Sequence, residues 1–290
     1  MHANEVAIDT ALVRRLLAEQ FPHLADLRLE RVPSAGTVNA VYRLGDDLSV
    51  RLPRIDGGVD DLVREYRWLP LLASDLPLDV PVPLEMGRPA EGFPFQWAVC
   101  RWVRGEHVAV TDLPDPRAAA VDLARFVAAI RRNDPAGAPP AYRGEPLAER
   151  DDGVRSAIAQ SHDLVDTRAV TAAWEATLQA PEWDGPPTWS HSDLLPGNLL
   201  AADGRLSAVI DFGCMGVGDP ACDVMVAWAY LDADTRPVFR AELDVDNAMW
   251  MRGRGWALVF AIVALPYYQH TNPEFAAVAR RAIGEVLADS

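Results

Sequence analysis

The stretch WSHSDLLPGNLL, residues 189–200, followed by IDFG at residues 210–213, decides the reading of this 290-residue chain. Asp193, Asn198 and Asp211 stand at intervals that fit no amphipathic period, and Pro196-Gly197 tightens the loop between the first two. Any one of them alone reads as a loop cap. As an ordered set they read as chemistry.

Phosphoryl transfer asks for little covalent work from a protein. It needs a cationic clamp on the phosphates, a carboxylate to orient and deprotonate the attacking hydroxyl, and oxygen ligands for magnesium. HSDLLPGN supplies a carboxylate and an amide oxygen, and IDFG supplies a second carboxylate at a strand end. Between them ADGRL (Ala202–Leu206) has hairpin-turn composition, which would lay the two segments side by side and let Asp193, Asn198 and Asp211 converge on one metal–phosphate centre.

His191-Ser192-Asp193 with Asn198, then Ile210-Asp211-Phe212-Gly213 with Gly218-Asp219-Pro220, resembles the aminoglycoside phosphotransferase family, relatives of the protein kinases. That family's signature is an HGDxxxxN loop, a strand and an IDF-G-xxx-G-DP segment. The resemblance implies that Asp193 is the catalytic base and that Asn198 and Asp211 hold Mg²⁺. It implies ATP or GTP as the nucleotide. Ser192 replaces the usual glycine, a small change expected to be tolerated, and Leu195 stands where many members carry histidine.

The family also places a phosphate-binding lysine on its third small-lobe strand, paired with a glutamate on the next helix. This chain has no lysine: all 27 of its basic residues are arginine. Arg51, in SVRLPR, sits at the matching place, and strand alternation puts it on one face with Ser49. A guanidinium keeps the charge and offers phosphate two nitrogens, though its reach differs from that of lysine. Glu65 is the best partner for it. SAGTVNAVYRL (Ser34–Leu44) matches the loop over the nucleotide phosphates, where Ser34, Gly36 and Thr37 would lie. CRWVRGE (Cys100–Glu106) matches the hinge, where backbone groups near Arg101 and Val103 would meet adenine.

The implied fold is α+β, two-lobed and protein-kinase-like: a nucleotide-binding lobe at 1–99, a hinge at 100–105 and a helical lobe at 106–290. Local patterns agree. Asp9 caps a helix ending at Gln20; Leu27–Val32, Asn39–Leu44 and Leu48–Leu52 alternate as strands, the last two joined by the Gly45–Asp47 turn. Gly57–Ser74 is helical, prolines 77, 81 and 83 break it, and Phe95–Val103 is a buried strand. Helical patterns then cover Asp112–Arg132, Val154–Gln160, Thr167–Gln179, Ala221–Leu231, Arg236–Leu243, Val245–Leu265 and Pro273–Ala288, interrupted only by a strand at Ser207–Asp211.

A net charge of −15 opposes nucleic-acid and anionic-membrane partners. Three cysteines without CxxC spacing fit a reducing cytoplasm, and the polar N-terminus carries no signal-peptide pattern. The longest apolar run, Trp256–Pro266, is shorter than the ~20 residues a bilayer needs. The expected partner is a small hydroxylated molecule, aminoglycoside-like or a macrolide, choline, homoserine or sugar. Asp219, Asp223, Asp232, Asp234, Glu242, Asp244 and Asp246 would suit a cationic one, or form a solvated acidic face.

Three competing readings remain. Arg51 in place of lysine favours a nucleotide-binding protein without turnover, which the intact Asp193, Asn198 and Asp211 oppose. The SHSD cluster suggests a hydrolase triad, but neighbours in sequence rarely face one another as a triad must, and no GxSxG elbow is present. RGRG at Arg252–Gly255 is too short for an RNA-binding tract.

Overall fold

The structure is a computed structural model that describes residues 6–33 and 38–289. The chain forms two compact units, one comprising residues 1–75, 79–104 and 208–213, the other residues 76–78, 105–207 and 214–290.

The first unit is built on a five-stranded sheet. Helix α1 (Thr10–Gln20) leads into β1 (Leu29–Arg31), β2 (Asn39–Leu44) and β3 (Leu48–Pro53). Then come helix α2 (Gly57–Leu72), β4 (Pro83–Gly87) and β5 (Trp97–Arg101). The strand order is β1-β2-β3-β5-β4, and every pairing is antiparallel. The Asp9 carboxylate caps α1 by accepting from the Leu12 amide at 2.7 Å, which satisfies one orphan donor of its first turn.

Strand β3 shows why both faces of this sheet are covered. Val50 and Leu52 point into a core with Tyr42, Leu44, Trp97 and Val99, closed by Leu12, Leu16 and Leu17 of α1. Each such aliphatic side chain contributes about 1.5–3 kcal/mol when fully buried. Ser49 and Arg51 take the opposite face and are also buried, with Ala98, Cys100 and Leu62 of α2 nearby in the fold. Strand β4 was unexpected, because Pro83 reads as a breaker. It lies at the edge of the sheet and Pro83 is its first residue, where a missing N–H removes no ladder bond.

The second unit is largely helical. Helices α3 (Pro116–Arg131), α4 (Asp151–Gln160) and α5 (Thr167–Thr177) precede three short strands, β6 (Thr188–Ser190), β7 (Leu199–Ala202) and β8 (Arg205–Val209). Strand β9 (Gly216–Gly218) pairs antiparallel with β6, and β7 pairs with β8. Helices α6 (Val226–Ala229), α7 (Arg236–Leu243), α8 (Asn247–Tyr268) and α9 (Pro273–Ala288) complete the chain. The single expected strand is therefore one of four in this part of the sequence. The others span three or four residues, too few to show alternation. Asp203 and Gly204, with φ of 52° and 76°, make the turn between β7 and β8, as a tight hairpin requires. Helix α3 starts later than expected, at Pro116, because Asp115 caps it. Ala221–Leu231 is a 3₁₀ turn at Cys222–Met225 followed by one turn of α6.

Helix α8 is longer than the apolar run in the sequence: 22 residues, long and apolar enough by composition to cross a membrane, yet with 67% of its most apolar window buried inside the protein. A helix apolar on every side belongs in a core. RGRG lies on this helix. Arg252 is buried and donates to Asp219 through Nε at 2.7 Å and Nη2 at 3.3 Å, while Arg254 Nη2 donates to the Val286 carbonyl. Gly253 packs so close to Val224 that an added Cβ would lie 2.6 Å from its side chain. The tetrapeptide is a packing device.

Candidate active site

In the first unit, Arg51 projects from β3 toward α2. Its Nη1 donates to Glu65 Oε2 and its Nη2 donates to Oε1 at 3.3 Å, a forked pair with both partners buried. Burial disfavours the guanidinium charge, but Glu65, Cys100 and Asp211 outweigh it and hold the pKa of Arg51 above the ordinary arginine value. Burial raises Glu65, and Arg51 opposes the rise. Such a pair is costly to desolvate and costlier to break, because removal of one partner strands a charge in the interior.

Asp211 follows β8 in the left-handed region, at φ 64°. Its carboxylate is exposed and has no hydrogen-bond partner among the described residues. The next turn is tied to α2: Arg64 Nη1 donates to the Gly213 carbonyl at 3.1 Å. An added Cβ at Gly213 would come within 2.9 Å of Asp61 Cβ, so this approach needs glycine. Burial, then the Asp211 charge, push the carboxyl of Asp61 up, against the pull of Arg64. Neither Asp61 nor Arg64 carried a sequence signal, since single charges on a helix mark no motif.

In the second unit the loop after β6 is braced from below. The buried Asp223 carboxylate accepts the amides of His191 at 2.9 Å and Ser192 at 2.8 Å. Burial raises this carboxyl, and His191 and the two amides pull it back. His191 is itself buried, and its Nδ1 accepts the Asp193 amide at 3.2 Å. The Asn198 amide nitrogen donates to the Asp193 carbonyl at 2.8 Å and to Asp193 Oδ2 at 2.9 Å. These bonds fix the Asp193 carboxylate and leave Asn198 Oδ1 without a partner among the described residues.

Ser192 sits at φ 68°, the conformation that favours the family's glycine. A side chain there costs about 1–2 kcal/mol. The hydroxyl offsets this by bonding twice to one residue: it accepts the Arg143 amide at 2.8 Å and donates to the Arg143 carbonyl at 3.0 Å. The expected stability order is therefore wild type, then Ser192→Gly about 1 kcal/mol below, then Ser192→Ala about 2–3 kcal/mol below. Urea unfolding checks it, and Ser192→Ala equal to wild type would contradict it.

Arg143 is the residue that the sequence did not announce. It lies in an irregular segment fifty positions before Asp193, and its Nη1 donates to Asp193 Oδ1 at 2.7 Å and to the Ser192 carbonyl at 2.8 Å. Tyr142 lies under its guanidinium, 5.1 Å from ring centre to Cζ. Tyr268 is close enough for Asp193 to act on it: burial first, then Tyr267, Asp193 and Tyr142, push its hydroxyl pKa up.

The remaining expected positions divide. The Arg101 amide is spent on the Val82 carbonyl at 2.8 Å, just before β4, and its side chain is exposed. The backbone groups of Val103 have no partner among the described residues. Ser34, Gly36 and Thr37 lie outside the described residues. Of the acidic residues that suggested a cation surface, Asp219 is held by Arg252, Asp223 by the loop and Glu242 by Arg125. Asp232 accepts from Thr235, and Asp246 caps α8 through the Met249 amide. Asp234 and Asp244 keep free carboxylates among the described residues.

The model of the phosphotransferase enzyme family matches residues 30–257. Among solved structures, the GDP complex of wild-type aminoglycoside 2′-phosphotransferase-IIIa superposes with a TM-score of 0.76 at 19% identity, over 97% of this chain and 99% of that one. The macrolide 2′-phosphotransferase MphH from Brachybacterium faecium gives 0.63 at 22% identity, over 97% of this chain and 98% of that one. An aminoglycoside phosphotransferase solved as a streptomycin–ATP ternary complex gives 0.61 at 16% identity, over 98% and 97%. A comparison with proteins of curated function finds no match. The fold is thus the kinase-like fold of these enzymes, and the chain belongs to the phosphotransferase enzyme family, the family of small-molecule kinases that its HSD…N and IDFG segments resemble.

Proposed function

We propose that the protein transfers the γ-phosphate of ATP, or of GTP, to a hydroxyl of a small molecule. The observation that carries this reading is the fixed carboxylate of Asp193, held by Asn198 and Arg143 on a loop braced by Asp223. In the second unit Asp193 orients the acceptor hydroxyl and takes its proton. In the first unit the Arg51 guanidinium, positioned by Glu65, binds the phosphates nearest the nucleoside. Ser34, Gly36 and Thr37 belong to the loop over the phosphates, and the backbone at Val103 binds the base, with the neighbouring Arg101 at the end of β5.

Magnesium fits the donors present. The free Asp211 carboxylate and Asn198 Oδ1 are hard oxygens, and no group of three or more His, Cys, Asp or Glu among the described residues forms a metal cage. Mg²⁺ takes one or two protein oxygens and completes its shell with phosphates and water. When bound, it would neutralise charge on the transferring phosphoryl group.

The acceptor is an aminoglycoside-like polyhydroxylated molecule, in line with the kanamycin, streptomycin and gentamicin complexes of the structural neighbours. A second reading rests on the tyrosines. Tyr268 is in electrostatic reach of Asp193, Tyr142 and Tyr267, and the last two, about three-fifths exposed (59% and 63%), offer flat apolar surface. Such walls favour an acceptor with hydrophobic rings, of the kind a macrolide kinase binds. Expression in a sensitive bacterium separates the two. A rise in inhibitory concentration for aminoglycosides supports the first, a rise for macrolides alone supports the second, and no rise for either removes a resistance role.

A further inference from the structure

We infer that Arg143 is a catalytic residue of this phosphotransfer, holding an oxygen of the group in transit while its Nη1 fixes the base. The inference rests on the proposed function and adds to it a residue outside both sequence motifs.

The hydrogen-bond pattern of Arg143 is incomplete. At two buried arginines, Arg51 and Arg252, the fork is closed on one carboxylate, whereas buried Arg236 meets Glu285 through Nη1 alone. Arg51 spends Nη1 and Nη2 on Glu65, and Arg252 spends Nε and Nη2 on Asp219. Arg143 instead spends a single nitrogen, Nη1, on both Asp193 Oδ1 and the Ser192 carbonyl. Its Nε and Nη2 have no hydrogen-bond partner among the described residues. The side chain is 15% exposed and that of Asp193 21%, so the pair is not sealed from solvent. Neither Nε nor Nη2 is a buried orphan. Two donors of a guanidinium bonded to the base are therefore left to take a ligand.

What arrives at the base is anionic. The acceptor oxygen that gives its proton to Asp193 forms its new bond to phosphorus, while the bond from phosphorus to the nucleotide's bridging oxygen breaks. Charge is spread over the three equatorial phosphoryl oxygens as this happens. A guanidinium bonded to the base is held beside the acceptor oxygen that the base serves, which becomes bonded to that phosphorus. Its planar fork suits phosphoryl oxygens better than a point charge does. Burial works against its charge, but Asp193, Cys222 and Cys214 together outweigh it and hold the pKa of Arg143 above the usual arginine value. The stacked Tyr142 ring keeps the guanidinium plane in place.

The test uses the full chain with Mg-ATP and an acceptor that wild type phosphorylates, comparing wild type, Arg143→Lys and Arg143→Ala. Arg143→Ala is expected to lower kcat by about 10²–10³-fold while the nucleotide KM stays within about threefold. Arg143→Lys should recover at least about tenfold of the loss. Millimolar guanidinium chloride should restore part of the Arg143→Ala rate where sodium chloride of equal ionic strength does not. Nucleotide-induced thermal stabilisation equal to wild type shows that the variants are folded. If Arg143→Ala misfolds, the Arg143→Lys rate decides. A kcat within about fivefold of wild type, or loss of activity without rescue by lysine or guanidinium, overturns the inference and leaves a brace. If wild type itself transfers no phosphate to any acceptor, the phosphotransferase reading fails and the inference falls with it.

Discussion

Asp193→Asn lowers acceptor-dependent nucleotide turnover by about 10³-fold and leaves nucleotide affinity within about twofold. The asparagine side chain has the same shape and one carbonyl oxygen. It can still accept from Asn198 Nδ2 or from Arg143 Nη1, so the loop keeps its conformation. The Ser192 and His191 amides remain on Asp223, which the change does not touch. What disappears is the capacity to take a proton from the acceptor hydroxyl. Loss concentrated in kcat with binding preserved is the mark of a group that acts in the transition state. Turnover that survives the substitution would remove Asp193 from the role of base. A pseudokinase-like binder predicts no turnover in either protein and equal nucleotide binding.

Glu65→Gln is expected to be the most damaging single change to the stability of the first unit. It keeps the volume but leaves the Arg51 charge buried and half-paired, a loss of about 3–5 kcal/mol. For a chain of this size that is a fall in melting temperature of about 6–15 °C. The same substitution releases the guanidinium from its fixed place, so activity falls even below the melting range. A double change, Arg51→Met with Glu65→Leu, separates the two effects. Buried pairs replaced by apolar groups of similar volume are often no less stable. The double variant is expected to recover its melting temperature but not its activity, read by thermal unfolding and ADP release side by side. Recovery of both would show that Arg51 only braces β3 against α2.

The sequence made some of this legible and hid the rest for physical reasons. Strands β2 and β3 and helices α7 and α9 follow from alternation, helical spacing and caps, which are local properties of a few residues. The Arg51–Glu65 pair was legible through the family resemblance, which implies a cation on the third strand paired with a glutamate on the next helix. Strands β6, β7 and β9 were not, since three or four residues cannot display a period. Pro83 misled because edge position is a property of the sheet, not of the segment. Ser192 looked like a harmless replacement for glycine, and only its φ of 68° shows that its hydroxyl offsets backbone strain through Arg143. Arg143 itself was invisible. It belongs to an irregular segment, and nothing in its neighbourhood marks it as facing a loop fifty residues away. For the acidic residues of the second unit, composition left a cation surface and a solvated acidic face both open, and geometry gives five of the seven partners within the protein.

The measurement that bears most directly on the central claim is ³¹P NMR of wild-type protein with Mg-ATP and panels of aminoglycosides, macrolides and small metabolic alcohols. The account predicts a phosphomonoester resonance, coupled to protons of one acceptor, that grows in step with ADP and is absent with Asp193→Asn. Inorganic phosphate as the sole product with every acceptor, or no consumption of ATP or GTP at all, would contradict it.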